Sequence, residues 1–188
     1  MVSIHVKRLF DLVVSAVGLV LLTPVGLLIA LAIKFADGGP VLYGQIRVGQ
    51  FGKPFRIWKF RSMVRDADKL GLPLTPEADG RITPLGVFLR RFKLDELPQL
   101  WNVVKGDMSL VGPRPHPLDD VAGYEIEHLS RLDVTPGITG LWQVTARRDP
   151  SFQRGMELDR EYIRTWSLVS DMRILLKTFL AVVQGSGD

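Results

Sequence analysis

The stretch "LVVSAVGLVLLTPVGLLIALAI" (residues 12–33) decides how this chain folds, because its 22 residues carry no charge. As a helix it would extend about 33 Å, close to the roughly 30 Å of a bilayer's hydrocarbon core. It is too long for the apolar part of a cleaved signal peptide, and no small-residue cleavage pattern precedes Lys34. At its midpoint stands Thr23-Pro24. Proline lacks a backbone donor and crowds the preceding turn, so a break is expected there, between arms of about 12 and 9 residues. Lys7 and Arg8 precede the run and Lys34 follows it, which gives no clear preference for opposite membrane faces. A bent segment that enters and leaves one leaflet suits that symmetry better than a straight span. Prolines do occur in spanning helices, so hydropathy alone leaves both topologies open.

Outside this segment the composition removes several chemistries. The chain has 188 residues, one domain by size, and no cysteine, which excludes disulfides, thiolate zinc and cysteine nucleophiles. Its three histidines, His5, His116 and His128, show no metal-ligand spacing. Charge is uneven. Nine cations within residues 1–65 (Lys7, Arg8, Lys34, Arg47, Lys53, Arg56, Lys59, Arg61, Arg65) face two acids, Asp11 and Asp37. That third is +7, and the total of +4 leaves −3 for the rest. The basic third wants an anionic partner, and the apolar run together with the balanced remainder favours a phospholipid surface over nucleic acid.

"GGPVLYGQIRVGQFGKPFRIWKFRSM" (38–63) mixes β-branched and aromatic residues with Gly and Pro, the pattern of short strands or a hairpin. Its cations with Tyr43, Phe51, Phe55 and Trp58 suit a membrane surface. Residues 66–82 read as a polar loop. In "TPLGVFLRRF" (83–92), Thr83 is a helix cap and Pro84 a first helical residue, with Leu85, Phe88, Leu89 and Phe92 at helical spacing. Leu97, Leu100, Trp101 and Val104 form a second helical period ending at Gly106. The C-terminal "DMRILLKTFLAVVQG" (171–185) predicts an amphipathic helix, on the membrane or packed on the core.

Between the two central helices lies "RRFKLDELPQLWN" (90–102), where Asp95 and Glu96 follow Arg90, Arg91 and Lys93. Read locally, the carboxylates could serve as an ordinary helix cap with a solvated neighbour. Nearby cations also favour ionised carboxylates and hold phosphate, and an ionised Asp beside phosphate is a magnesium ligand or a nucleophile.

"KLDELPQLWNVVKGDMSLVGPRP" (93–115), with "KRLFD" (7–11), "KFRSM" (59–63), "TPGITGLWQV" (135–144) and "LDREYIRTWSLVSDMRILLKT" (158–178), closely resembles the bacterial sugar transferases, monotopic phosphoglycosyl transferases. The likeness covers nearly the whole chain. It implies a mostly helical α+β fold with two parts. Residues 1–36 would be a re-entrant membrane helix broken at Thr23-Pro24, and residues 37–188 a membrane-associated catalytic domain, cytosolic and globular, with surface amphipathic helices and a short hairpin. It also implies transfer of a sugar 1-phosphate from a UDP-sugar to undecaprenyl phosphate, releasing UMP, at the cytoplasmic face of a bacterial inner membrane.

Carried over by position, Asp95 is the nucleophile that forms a phosphosugar-aspartyl intermediate, and Glu96 its partner. The same pair would hold Mg²⁺. Arg114 of "GPRP" and Lys59 and Arg61 of "KFRSM" are expected phosphate ligands, with Arg90, Arg91, Arg147 and Arg148 as further candidates. A homodimer is a further partner compatible with the family. Asp159 and Asp171 read as helix caps or site residues, Asp107 as structural, and Trp142 and Trp166 as uracil-stacking, interfacial or core residues. "TGLWQV" resembles members that start exopolysaccharide or O-antigen synthesis with glucose or galactose. Two departures stand out: Thr135 occupies a position where many relatives carry arginine, and Thr23 one where serine is familiar. The chain also begins almost at "KRLFD", which suits either a minimal enzyme or an excised catalytic core.

Overall fold

The computed structural model describes residues 4–67, 79–146, 149 and 151–185. The apolar stretch forms a single helix, α1 (Ile4–Asp37), which continues through Pro24. The expected interruption is therefore not an end to helical structure. Thr23 Oγ1 donates to the Leu19 carbonyl at 2.6 Å, a side-chain bond next to the proline's missing donor. The helix also extends one residue past the expected boundary at residue 36.

Its packed side touches the rest of the chain along its whole length. Near the start, Arg8 donates to the carbonyls of Val103 (2.6 Å) and Val104 (2.9 Å), and Lys7 pairs with Asp171 at 2.6 Å. One turn on, Asp11 accepts from Ser109 Oγ at 2.7 Å. A Cβ on Gly18 would sit 3.4 Å from Leu100, and one on Gly26 3.7 Å from Phe60. Ile29 and Ile33 then enter a core with Phe60 and Leu89, and Asp37 bonds Arg61 at the far end. The opposite face is bare: Val20 is 73% exposed, Leu28 68% and Phe35 85%.

Strands β1 (Leu42–Val48) and β2 (Pro54–Phe60) form the expected hairpin, antiparallel with Leu42 opposite Phe60 and Val48 opposite Pro54. Of the polar loop read at 66–82, residues 68–78 lie outside the described residues; Met63 pairs with Ile82 across it. Helix α2 (Pro84–Arg91) begins as its sequence predicts, with the Thr83 hydroxyl accepting from the Gly86 amide and Pro84 in the first turn. Helix α3 (Gln99–Lys105) stops at Gly106, whose φ of 94° is the left-handed geometry that glycine adopts without strain. Buried Asn102 ties α3 to β2: its amide donates to the Arg56 carbonyl and its Oδ1 accepts from the Trp58 amide.

Beyond α3 come β3 (Ser109–Val111), α4 (Leu118–Ala122), a 3-10 stretch (Ile126–Asp133), β4 (Gly137–Thr139), α5 (Leu141–Thr145), α6 (Phe152–Thr165) and α7 (Leu168–Val183). β3 and β4 pair in parallel, Ser109 beside Gly137. The main core joins Ile57, Val103, Met108, Leu110, Val111, Tyr162 and Ile174. α7 buries Asp171 and Ile174 while exposing Val169, Met172, Leu176, Phe179 and Val183, a stripe at helical spacing. The protein is thus a mostly helical α+β fold with a long apolar N-terminal helix and small sheets.

Candidate active site

The acidic pair sits where the chain reverses between α2 and α3. Lys93 adopts φ 52°, ψ 22°, a left-handed conformation costly for a non-glycine residue, and a 3-10 turn (Leu94–Glu96) follows. Leu94 and Leu97 pack against the core of Ile29, Ile33, Phe60 and Leu89, which anchors the turn on both sides of the two carboxylates. Apolar residues on both sides thus position the acids, and helix capping does not: neither helix end is capped by Asp95 or Glu96.

Glu96 is clamped. Its Oε1 accepts from Lys59 Nζ at 2.7 Å and from Arg114 at 3.1 Å. Burial alone would raise its pKa, but Lys59 and Arg114 overcome this and hold the carboxyl well below the usual range. Asp95 differs. It is 6% exposed, and among the described residues its carboxylate accepts no hydrogen bond, so its lone pairs are uncommitted. Burial raises its pKa against the pull of Lys59, Arg90 and Arg114, and ionised Glu96 adds to the rise. One carboxylate is locked and the other stands ready.

Of the other predicted cations, Arg90 lies in the field of Asp95 and donates through Nε to Ser62 Oγ at 2.9 Å. Arg61 turns away to Asp37. Arg91 stacks over the Phe92 ring at 5.6 Å. Arg147 and Arg148 lie outside the described residues. Sequence reading passed over Arg47, which enters this group from β1. It donates to Gln45 Oε1 and to the Pro115 carbonyl at 3.2 Å, with no carboxylate bonded to it among the described residues. Burial, and then Arg114, lower its pKa to about 10. The only cue to it in sequence was its place among the cations of the basic third.

Lys59 and Arg114 act on both carboxylates, Arg90 on Asp95, and Lys93 and Arg47 on Glu96. This excess of positive charge around a largely buried acidic pair is the electrostatic complement of a substrate carrying several negative charges.

Three other acids are placed elsewhere. Asp171 is no cap, since Ser167 caps α7; it is 1% exposed and accepts from Lys7, Tyr162 Oη (2.8 Å) and Trp166 Nε1 (3.1 Å). Asp159 stands inside α6 and pairs with Arg131 at 2.7 Å. Asp107 bonds Asn102 and Lys105, a structural role. Trp166 packs against the core, and Trp142 lies against Gly155 of α6.

Residues 2–185 match the family described as bacterial sugar transferase. The chain belongs to that family. The exopolysaccharide production protein ExoY of Rhizobium meliloti (strain 1021) is 39% identical over 197 residues, covering 97% of this chain and 87% of that protein. The UDP-glucose:undecaprenyl-phosphate glucose-1-phosphate transferase of Escherichia coli (strain K12) is 43% identical, over 95% of this chain and 40% of its own length. The undecaprenyl-phosphate galactose phosphotransferase of Salmonella typhimurium is 41% identical, over 98% and 42%. This bacterial sugar transferase therefore spans most of one relative and about two fifths of the others. The expected family and the expected class, a phosphoglycosyl transferase, are both met. Its apolar α1, 34 residues long with a bare face, marks it as membrane-associated.

Proposed function

We propose that this bacterial sugar transferase moves a hexose 1-phosphate, glucose or galactose, from its UDP-sugar to undecaprenyl phosphate, starting a glycan such as an exopolysaccharide. The observation that carries the reading is the asymmetric pair: a buried, uncommitted Asp95 beside a clamped Glu96, within a cluster of cations. The names of the relatives support the lipid acceptor and the two hexoses.

In the first step an Asp95 carboxylate oxygen attacks the sugar-bearing phosphorus. The bond from that phosphorus to the bridging oxygen breaks, and UMP leaves with the electron pair. In the second, an oxygen of undecaprenyl phosphate attacks the same phosphorus and expels the Asp95 carboxylate, which regenerates the enzyme. Neither step needs a net proton. Lys59 and Arg114, already converging on Glu96, together with Arg47 and Arg90, offset the charge that would repel an anionic nucleophile. Arg61 is drawn to Asp37 instead, and Arg147 and Arg148, outside the described residues, remain candidate phosphate ligands.

The donor set fits magnesium: hard carboxylate oxygens, one of them uncommitted, with the remaining ligands left to substrate phosphates and water. Asp95 and Glu96 would hold the ion, which when bound would neutralise diphosphate charge.

A cytoplasmic-face, monotopic arrangement is part of the proposal. Lys7 and Asp37 bond the same body, at Asp171 and Arg61, although about 45 Å of straight helix would separate them. A helix crossing the bilayer would put those ends on opposite faces. A segment that dips into one leaflet, bending near Thr23-Pro24, keeps both ends and the site on the side where UDP-sugars are made.

The test is to incubate the protein with UDP-glucose or UDP-galactose in the absence of lipid acceptor and analyse its peptides by mass spectrometry. A hexose-phosphate adduct on the Asp95 peptide, lost on adding undecaprenyl phosphate, is expected. UMP release without any adduct, or an adduct on another residue, would overturn the assignment.

A further inference from the structure

The segment "GPRPH" (112–116) carries Arg114 but belongs to no helix or strand. It is held from outside at consecutive carbonyls. Pro113 O accepts from the Gly137 amide at 2.9 Å and His116 O from the Val48 amide at 3.0 Å. Pro115 O accepts from Arg47, and Arg114 O from an Arg131 NH₂ group at 2.7 Å. A Cβ on Gly137 would lie 2.1 Å from the Gly112 amide nitrogen, so the segment and β4 approach as only glycine allows.

Arg131 is 5% exposed, and its guanidinium is used on both sides. The nitrogen that holds Arg114 O also donates to Asp159 at 2.7 Å. The other terminal nitrogen donates to His116 Nδ1 at 2.9 Å and to the Tyr124 hydroxyl, and the group stacks over the Tyr124 ring at 5.7 Å. Burial, then the nearby arginines, depress His116 to about 3, so it stays neutral and accepts. A planar, multidentate cation so confined has no freedom to move.

A buried ion pair such as Arg131–Asp159 adds little net stability, because desolvation offsets attraction. What it does supply is geometry. Arg114 is flanked by Pro113 and Pro115, so a shift of its carbonyl carries directly to its guanidinium, 3.1 Å from Glu96.

We propose that Arg131, braced by Asp159, is a positioning residue for sugar-phosphate transfer: by gripping the Arg114 carbonyl it aims the Arg114 guanidinium at Glu96 and the donor phosphates. The inference rests on the assignment of Arg114 to phosphate binding made above.

The test is a double-mutant cycle on kcat/KM for UMP release, using Arg131→Ala, Arg114→Ala and both, with Arg131→Lys as the variant that keeps the charge. Misplacement near 1 Å costs about 100-fold, so Arg131→Ala should lose about that factor alone, but under about 3-fold when Arg114 is already alanine. Losses that multiply would overturn the positioning role while leaving the donor reading intact. An Arg114→Ala enzyme with normal kcat/KM would instead remove the donor reading and this inference with it. Amide exchange needs no donor. In Arg131→Lys, exchange at Gly137 and Val48 should rise about ten-fold or more while Leu97, in the turn beside the acidic pair, stays unchanged. Unchanged exchange at Gly137 and Val48 would sink the proposal whatever the turnover.

Discussion

Replacing Lys59 by methionine keeps the length of the side chain and removes one of two cations on Glu96. In the intact protein the ammonium lies 2.7 Å from Glu96 Oε1, with the side chains 22% and 11% exposed. Two unit charges at that distance attract by about 6 kcal/mol at an effective dielectric of 20. Both groups have largely left water, but only the desolvation cost of the lysine is regained in the variant; taking that to offset about half leaves about 3 kcal/mol, near the lower end for stranding a buried charge. Arg114 at 3.1 Å keeps the loss from being larger. For a chain of this size that corresponds to a fall in Tm of about 6–12 °C. The missing charge is also absent when donor phosphates arrive, so kcat/KM for UMP release should drop on the order of 100-fold. Both are measured in one detergent, by thermal unfolding and by initial rates over a range of UDP-sugar. Arg61→Met is the comparison: its partner Asp37 is 36% exposed at the end of α1, so kcat/KM should change less than about 5-fold. A Lys59→Met protein with wild-type kcat/KM and Tm, or an Arg61→Met protein as impaired as Lys59→Met, would refute this account of the cluster.

Glu96→Gln gives a pH test. Because the folded carboxyl is depressed, its stabilisation is complete above the ordinary value of about 4.3 and is lost as pH falls through the folded value. The Tm gap between wild type and Glu96→Gln should hold from pH 8 to 5 and close only in stronger acid; a gap already gone at pH 6 contradicts the clamp. Asp171→Asn should lower Tm by about 6–12 °C, since it weakens the buried tie between α7 and Lys7 of α1; a change under 2 °C would show that the tie contributes nothing. Gly86→Ala would place a Cβ 1.9 Å from the Ser62 carbonyl oxygen, forcing α2 away from β2's end, at a cost above about 3 kcal/mol. Wild-type stability in that variant would mean that α2 moves freely. Single cysteines at residues 3 and 80 should react with an impermeant reagent from the same membrane face; labelling from opposite faces would replace the dipping helix with a span.

Much of this was readable in sequence because it is local. The uncharged run gives α1, Thr83-Pro84 gives the start of α2, Gly106 the end of α3, and the alternating stretch the hairpin. The acidic pair was legible from its motif, but its clamp was not: Lys59 and Arg114, expected as phosphate ligands, also bond Glu96. What stayed hidden depends on partners distant in the chain. Lys7 meets Asp171 across 164 residues and Arg131 meets Asp159 across 28, so neither acid could be distinguished from a cap by its neighbours. β3 and β4 have three residues each, too few for a period, and their parallel pairing rests on the close approach of Gly112 and Gly137. Arg61 shares a motif with Lys59 but lies past the end of β2, where Asp37 captures it.

On the proposed mechanism, Asp95 makes this fold a transferase of sugar phosphate to lipid. The most direct measurement is UMP release by the purified protein in nanodiscs, with undecaprenyl phosphate, magnesium and UDP-glucose or UDP-galactose, beside Asp95→Asn at equal loading. Release is expected with one of these donors, requiring the lipid phosphate and falling to background in Asp95→Asn. Release that persists in Asp95→Asn would contradict that mechanism.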